Sequence, residues 1–196
     1  MGEGDRLCMG EFDFWDRLKY LLTNPNKFFE RVKPERGIGN SLLTLAVVAL
    51  FASIMKFGMN MLASSGSFGI FDNLLGYTGS TTILASNLLI PLFGSFVFAG
   101  AVHLSLMIIK VKGGFDETYK AVAYSLVPTV LLSLIPIVGG LSIIYSLFLT
   151  IIGLSQIHGI SKGKAVLACL VSTIVLLLMQ ILITLILLSL FGFKYF

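Results

Sequence analysis

The chain has 196 residues, 56% of them hydrophobic and 12% charged, with a formal net charge of +4. A soluble domain spends about a quarter of its residues on Asp, Glu, Lys and Arg, so this chain cannot coat a water-facing surface of its size. Its apolar residues also come in long blocks, which excludes a soluble α/β domain and leaves an all-α membrane protein.

Residues 1–36 read as an amphipathic cytoplasmic segment, and 37–196 as a membrane domain of five transmembrane helices. The opening MGEGDRLCMGEFDFWDRLKY has no apolar run ahead of its charges, so no signal peptide is expected there. Cys8 lies in this polar tail and Cys169 in an apolar run, and both are expected to be free thiols. In FDFWDRLKYLL, Phe14, Leu18, Leu21 and Leu22 recur at helical spacing with Trp15 beside them. That predicts a helix lying in the membrane interface, with Trp15 and Lys19 as candidate contacts for lipid or a partner. In TNPNKFFERV, Asn24 is placed to cap a second helix, Pro25 suits its first position, and Phe28, Phe29 and Val32 form a short apolar face.

Five spans are expected, at about 38–57, 82–109, 118–135, 141–157 and 165–191. Pro91 and Gly94 mark an expected kink in the second. The loop at 58–81 is rich in Gly and Ser but carries Phe68, Phe71, Leu74, Leu75 and Tyr77, which suggests that it lies on the membrane surface. Twelve Lys and Arg residues fall in the N-terminal segment and in the connections at 110–120 and 162–164. Lys194 alone falls on the other side, and Lys56 sits at a span end. The excess of cations places the N-terminus in the cytoplasm and the C-terminus outside.

The stretch GGFDETYKAVAYSLVPTVLLSLIPIVGG, residues 113–140, predicts a tight hairpin. Gly113 and Gly114 turn the chain, and Asp116, Glu117 and Thr118 supply acid and a capping oxygen to the next helix. Pro128 removes the hydrogen bond to the Tyr124 carbonyl, so this helix should face protein near Ser125, Thr129 or a neighbouring span. Pro136, Gly139 and Gly140 are expected to end it and reverse the chain. A shallow re-entrant hairpin is the alternative to full crossing.

This stretch, with SLFLTIIGLSQIHGISKGKA after it and TNPNKFFERVKPERGIGNSL before it, resembles the YIP (Ypt-interacting protein) family of five-span membrane proteins. The resembling features are the Gly-rich entry, the Tyr124-to-Pro128 spacing, the proline-ended hairpin and the small-residue exit into IHGISKGKA. In eukaryotic members the resemblance implies a cytoplasmic N-terminus, Rab-type GTPase binding and early secretory traffic. The lead-in here is short and looks like the prokaryotic branch, which implies a prokaryotic cell membrane rather than an endomembrane.

The polar inventory is thin. GISKGKA at 159–165 has three residues between its glycines and Ala165 where a Walker loop needs Ser or Thr, so no nucleotide site is expected. His158, Lys162 and Lys164 are candidates for contact with lipid phosphate or a partner. No Asp, Glu or Arg lies within a span, which speaks against a proton-coupled transporter. No enzyme, metal, cofactor or nucleic-acid partner is expected. The expected function is a non-enzymatic membrane organiser or adaptor for lipid or a soluble partner. The alternative is a lipid- or small-molecule-conducting protein, with a groove lined by His103, Tyr124 and Ser125.

Overall fold

A computed structural model describes residues 14–64 and 80–192. Cys8, Lys194 and the apolar residues between Phe68 and Tyr77 lie outside the described residues. Among the described residues the regular structure is helical throughout. The helices are α1 (Phe14–Thr23), α2 (Pro25–Val32), α3 (Gly39–Ser64), α4 (Ser80–Ile108), α5 (Phe115–Leu132), α6 (Pro136–His158) and α7 (Lys162–Gly192).

Helix α5 is the axis of the bundle, with α3, α4 and α6 packed around it. From Thr118 to Pro128 every residue but Leu126 is buried, Lys120 included. The residues there are mostly small, hydroxylated or aromatic, which lets neighbouring backbones approach and gives each buried polar group a nearby partner. Helix α7 packs on α4 and α6 through Ala165, Ala168, Cys169 and Ser172, and from Leu177 to Ile186 its large apolar side chains are exposed. A long helix that is apolar all round suits a hydrocarbon environment.

Among the described residues four helices are long and apolar enough to cross a membrane, over Gly39–Met59, Leu84–Ile108, Val138–His158 and Lys162–Ile186. Helix α5 differs, because Asp116, Glu117 and Lys120 occupy its first two turns. Its apolar remainder, Ala121 to Leu132, rises about 18 Å at 1.5 Å per residue, against a hydrocarbon core of about 30 Å. The five spans expected from hydropathy are therefore, among the described residues, four span-length helices and a shorter one sheltered by α3, α4 and α6.

The hairpin also differs in detail. Helix α5 ends at Leu132, and Pro136 opens α6 rather than closing α5. Proline suits the first helical position because its missing N–H would have no partner there. Gly139 and Gly140 consequently lie inside α6. Thr118 is not the cap of α5: Gly114 is, and its N–H donates to Glu117 Oε2 at 3.3 Å. Pro91 lies inside α4, which is helical from Ser80 through Ile108. Near Pro128, the Ser146 hydroxyl donates to the Ser125 carbonyl and Thr129 donates to the Ser142 carbonyl at 3.1 Å. The segment around the proline is thus tied to α6, in keeping with a protein-facing position.

The N-terminal helices are fastened to the bundle. Phe28, Phe29 and Val32 of α2 are buried, as are Leu18 and Leu21 of α1. The Tyr145 hydroxyl donates to the Leu22 carbonyl at 3.1 Å, Phe29 lies against Gly153, and Lys33 Nζ donates to the Gln156 carbonyl at 3.1 Å. These contacts advance together along both segments, so α2 runs beside the second half of α6 over its full length, about 12 Å. Asn24 stands at the cap position of α2, but its side chain makes no capping hydrogen bond. Trp15 and Leu22 face outward, so the apolar face of α1 divides between the bundle and the surroundings.

Candidate functional site

The polar side chains converge where α1, the linker after α2 and the first turns of α5 meet. Arg17 Nη1 lies 2.9 Å from Glu35 Oε1 and donates to the Tyr124 hydroxyl at 3.0 Å, while that hydroxyl donates to Glu35 Oε2 at 3.1 Å. Three side chains that are remote in sequence thus close a triangle. Lys120 Nζ, buried beside it, donates to the Lys33 and Glu35 carbonyls at 3.2 and 2.6 Å. Those carbonyls follow α2 and have no next helical turn to serve, so the ammonium takes the place of the missing donors. The network fixes the N-terminal segment onto α5.

A second cluster joins α4, α5 and α6. Thr118 Oγ1 lies 3.1 Å from His103 Nδ1 and 3.0 Å from His158 Nε2. One hydroxyl proton can serve only one ring, so at least one imidazole must itself donate to Thr118. The His158 side chain is 1% exposed, and its Nδ1 lies 3.6 Å from Glu117 Oε2 without a hydrogen-bond partner. A Cβ on Gly113 would collide with the His158 ring, which explains glycine at that turn. Phe115 closes the cluster, its ring edge-on to His103 at 5.7 Å between centroids. Among the described residues, no group of three or more His, Cys, Asp and Glu could hold a metal ion.

The structure separates the residues of the expected groove. Tyr124 belongs to the Arg17–Glu35 triangle, and His103 to the Thr118 cluster. Ser125 bonds Thr150 at 2.7 Å inside the α5–α6 contact. Tyr124 and Ser125 are fully buried, so the three line no common passage. A cavity does exist elsewhere, of about 370 Å³, bounded by α3, α4 and α5.

Of the expected contact residues, Trp15 is 72% exposed, and Lys19, Lys162 and Lys164 are exposed too. His158 is not among them, because its ring is enclosed. Sequence reasoning missed Arg17, Glu35 and Lys120 as a buried network, and it missed Thr118 as the bridge between the two histidines. A charge just inside the start of an otherwise apolar expected span, at Lys120, was the available signal.

A family model described as the Yip1 domain matches residues 19–186. No curated protein and no solved structure matches the chain.

Proposed function

The chain belongs to the Yip1 domain family, and on that footing we propose that it organises membrane without catalysing a reaction, by engaging anionic lipid headgroups at one basic face. The supporting observation is α1 itself: it is anchored through Arg17, Leu18 and Leu21, yet it turns Trp15 and Lys19 outward. An aromatic ring and an ammonium presented together suit the headgroup layer. Lys162 and Lys164 add exposed cations at the start of α7.

In this reading α5 crosses as a fifth segment, shielded by α3, α4 and α6 instead of by its own composition. The distribution of Lys and Arg supports a cytoplasmic α1 and α2, and the short lead-in, resembling the prokaryotic branch, supports a prokaryotic cell membrane. A soluble partner, a small GTPase among them, would use the same face.

Trp15 is the sole tryptophan of the chain and serves as its own reporter. In nanodiscs its emission should shift to shorter wavelength when anionic lipid replaces neutral lipid. Lys19→Glu, Lys162→Glu and Lys164→Glu together should abolish that shift. Deleting residues 1–33 would be a poorer test, because it also removes the buried Phe28 and Phe29. Identical Trp15 emission in both lipids would refute lipid engagement. Crosslinks from position 19 to a soluble protein would then favour the adaptor role.

A further inference from the structure

The cavity between α3, α4 and α5 has an apolar wall formed by Ala52, Ile90, Pro91, Phe98, Leu126 and Val130. Several hydroxyls on the wall are already engaged within the protein. Ser95 bonds the Leu92 carbonyl and Tyr119, Thr129 bonds the Ser142 carbonyl, and Ser133 bonds the Val130 carbonyl. Such a wall offers little to a polar solute and suits a hydrocarbon chain, which needs no hydrogen bonds. Ile90 and Gly94 are exposed at the rim, so the opening faces the lipid-exposed side of α4. From Asn87 to Phe98 the wall runs about 16 Å along α4. Small-molecule sites begin at about 300 Å³ and are mostly apolar with a few placed polar groups.

The polar group here is Lys56, the one charged residue within the Gly39–Met59 span. Its Nζ donates to Asn87 Oδ1 at 2.7 Å, and Asn87 lines the cavity. Among the described residues no carboxylate forms an ion pair with it. Lys56 stands near the far end of that span, where a lysine side chain reaches headgroup depth and can meet the phosphate of a lipid. A cation at one end and 16 Å of apolar wall below it match the two halves of one molecule.

We propose that this cavity holds one acyl chain of an anionic phospholipid, with the lipid phosphate on Lys56. The lipid comes from the leaflet farther from α1 and α2, since Lys56 lies about 25 Å along α3 from Gly39. This site is separate from the basic face, and it stands or falls without it.

Photolabelling tests it. The full chain is placed in nanodiscs of phosphatidylcholine and phosphatidylglycerol, with a diazirine on one phosphatidylglycerol chain. Adducts should concentrate on residues 87–98 and 126–130. A Cβ on Gly94 meets nothing within 4 Å, so Gly94→Phe sets a ring at the mouth of the cavity without a clash at its Cβ. That variant should lower labelling at these segments about tenfold, because a chain that meets the ring overpacks the site. Gly94→Ala leaves the room and should keep the labelling. Lys56→Met should reduce the preference for phosphatidylglycerol over phosphatidylcholine about fivefold, the worth of one cation near a phosphate. Labelling that is equal in wild type and Gly94→Phe, or spread evenly over α7, overturns the proposal. So does an unchanged lipid preference in Lys56→Met, or displacement of the label by inorganic phosphate alone.

Discussion

The ring of Phe29 occupies the space that a side chain on Gly153 would need. A Cβ built on Gly153 lies 2.9 Å from Phe29 Cε1 and 3.2 Å from the Ala121 Cβ, and both neighbours are fully buried. Gly153→Leu should therefore cost about 1–3 kcal/mol as an overpacked contact and lift α2 off α6. The measurement is protease sensitivity of residues 14–33 in detergent, alongside thermal unfolding. Adding Phe29→Ala to Gly153→Leu should restore part of the protection, since the leucine then enters the space left by the ring. Full protection in the single variant would show that α2 is held by something other than this fit.

The Arg17–Glu35–Tyr124 triangle makes a graded prediction. Tyr124→Phe removes one hydroxyl and leaves the ion pair intact, so a loss of about 1 kcal/mol is expected. Glu35→Ala strips the guanidinium and the phenol of their common acceptor, and a loss of about 2–3 kcal/mol should follow. Both charged side chains are about four-fifths covered, which places them above an exposed pair and below a fully enclosed one. Denaturant titration of the purified chain reads the order. Equal losses would mean that the phenol, not the carboxylate, holds the three together.

Thr118 should be replaceable by serine but not by valine. Valine keeps the volume and removes the oxygen that serves both His103 and His158. Two ring nitrogens then lose a partner, at about 1–3 kcal/mol each. Thr118→Ser retains the oxygen and should stay within about 1 kcal/mol of wild type. Imidazole nitrogen NMR shifts give a second reading, because Thr118→Val should alter both rings together. A change at one ring only would contradict the shared bridge.

The depth of the α5–α6 turn can be measured directly. With Cys8 and Cys169 replaced by alanine, Leu134→Cys should react with a membrane-impermeant maleimide from the side opposite to Lys162→Cys. Reaction from neither side would mean that the hairpin stops within the bilayer and that α5 does not cross.

The sequence made the helical inventory readable, because blocks of apolar residues and positive loops report directly on lipid and water. Phe28, Phe29 and Val32 announced the face that α2 buries. The hairpin was misread because a proline just after a helix and a proline opening the next look alike when three residues separate them. Hydropathy also counted α5 as an ordinary span, although Asp116, Glu117 and Lys120 were in view. The Arg17–Glu35–Tyr124 triangle left no such trace. Arg17 and Tyr124 stand 107 positions apart, and no local pattern brings them together. Lys56 was visible as an oddity, but its cavity required the packing of three helices.

Helix α2 turns Asn26, Lys27 and Glu30 outward while it lies along α6. In the proposed orientation those side chains would stay in water, so lipid tails on that flank would meet the bundle only above the elbow between α1 and α2. On α3, and likewise on α7, greasy residues begin almost at the helix start, with Leu43 and Val166 already exposed. The girdle of hydrocarbon would thus be narrower along α2 than along either of those helices, and the adjoining leaflet would thin to follow it. Copies aligned side by side would share a single shallow trough.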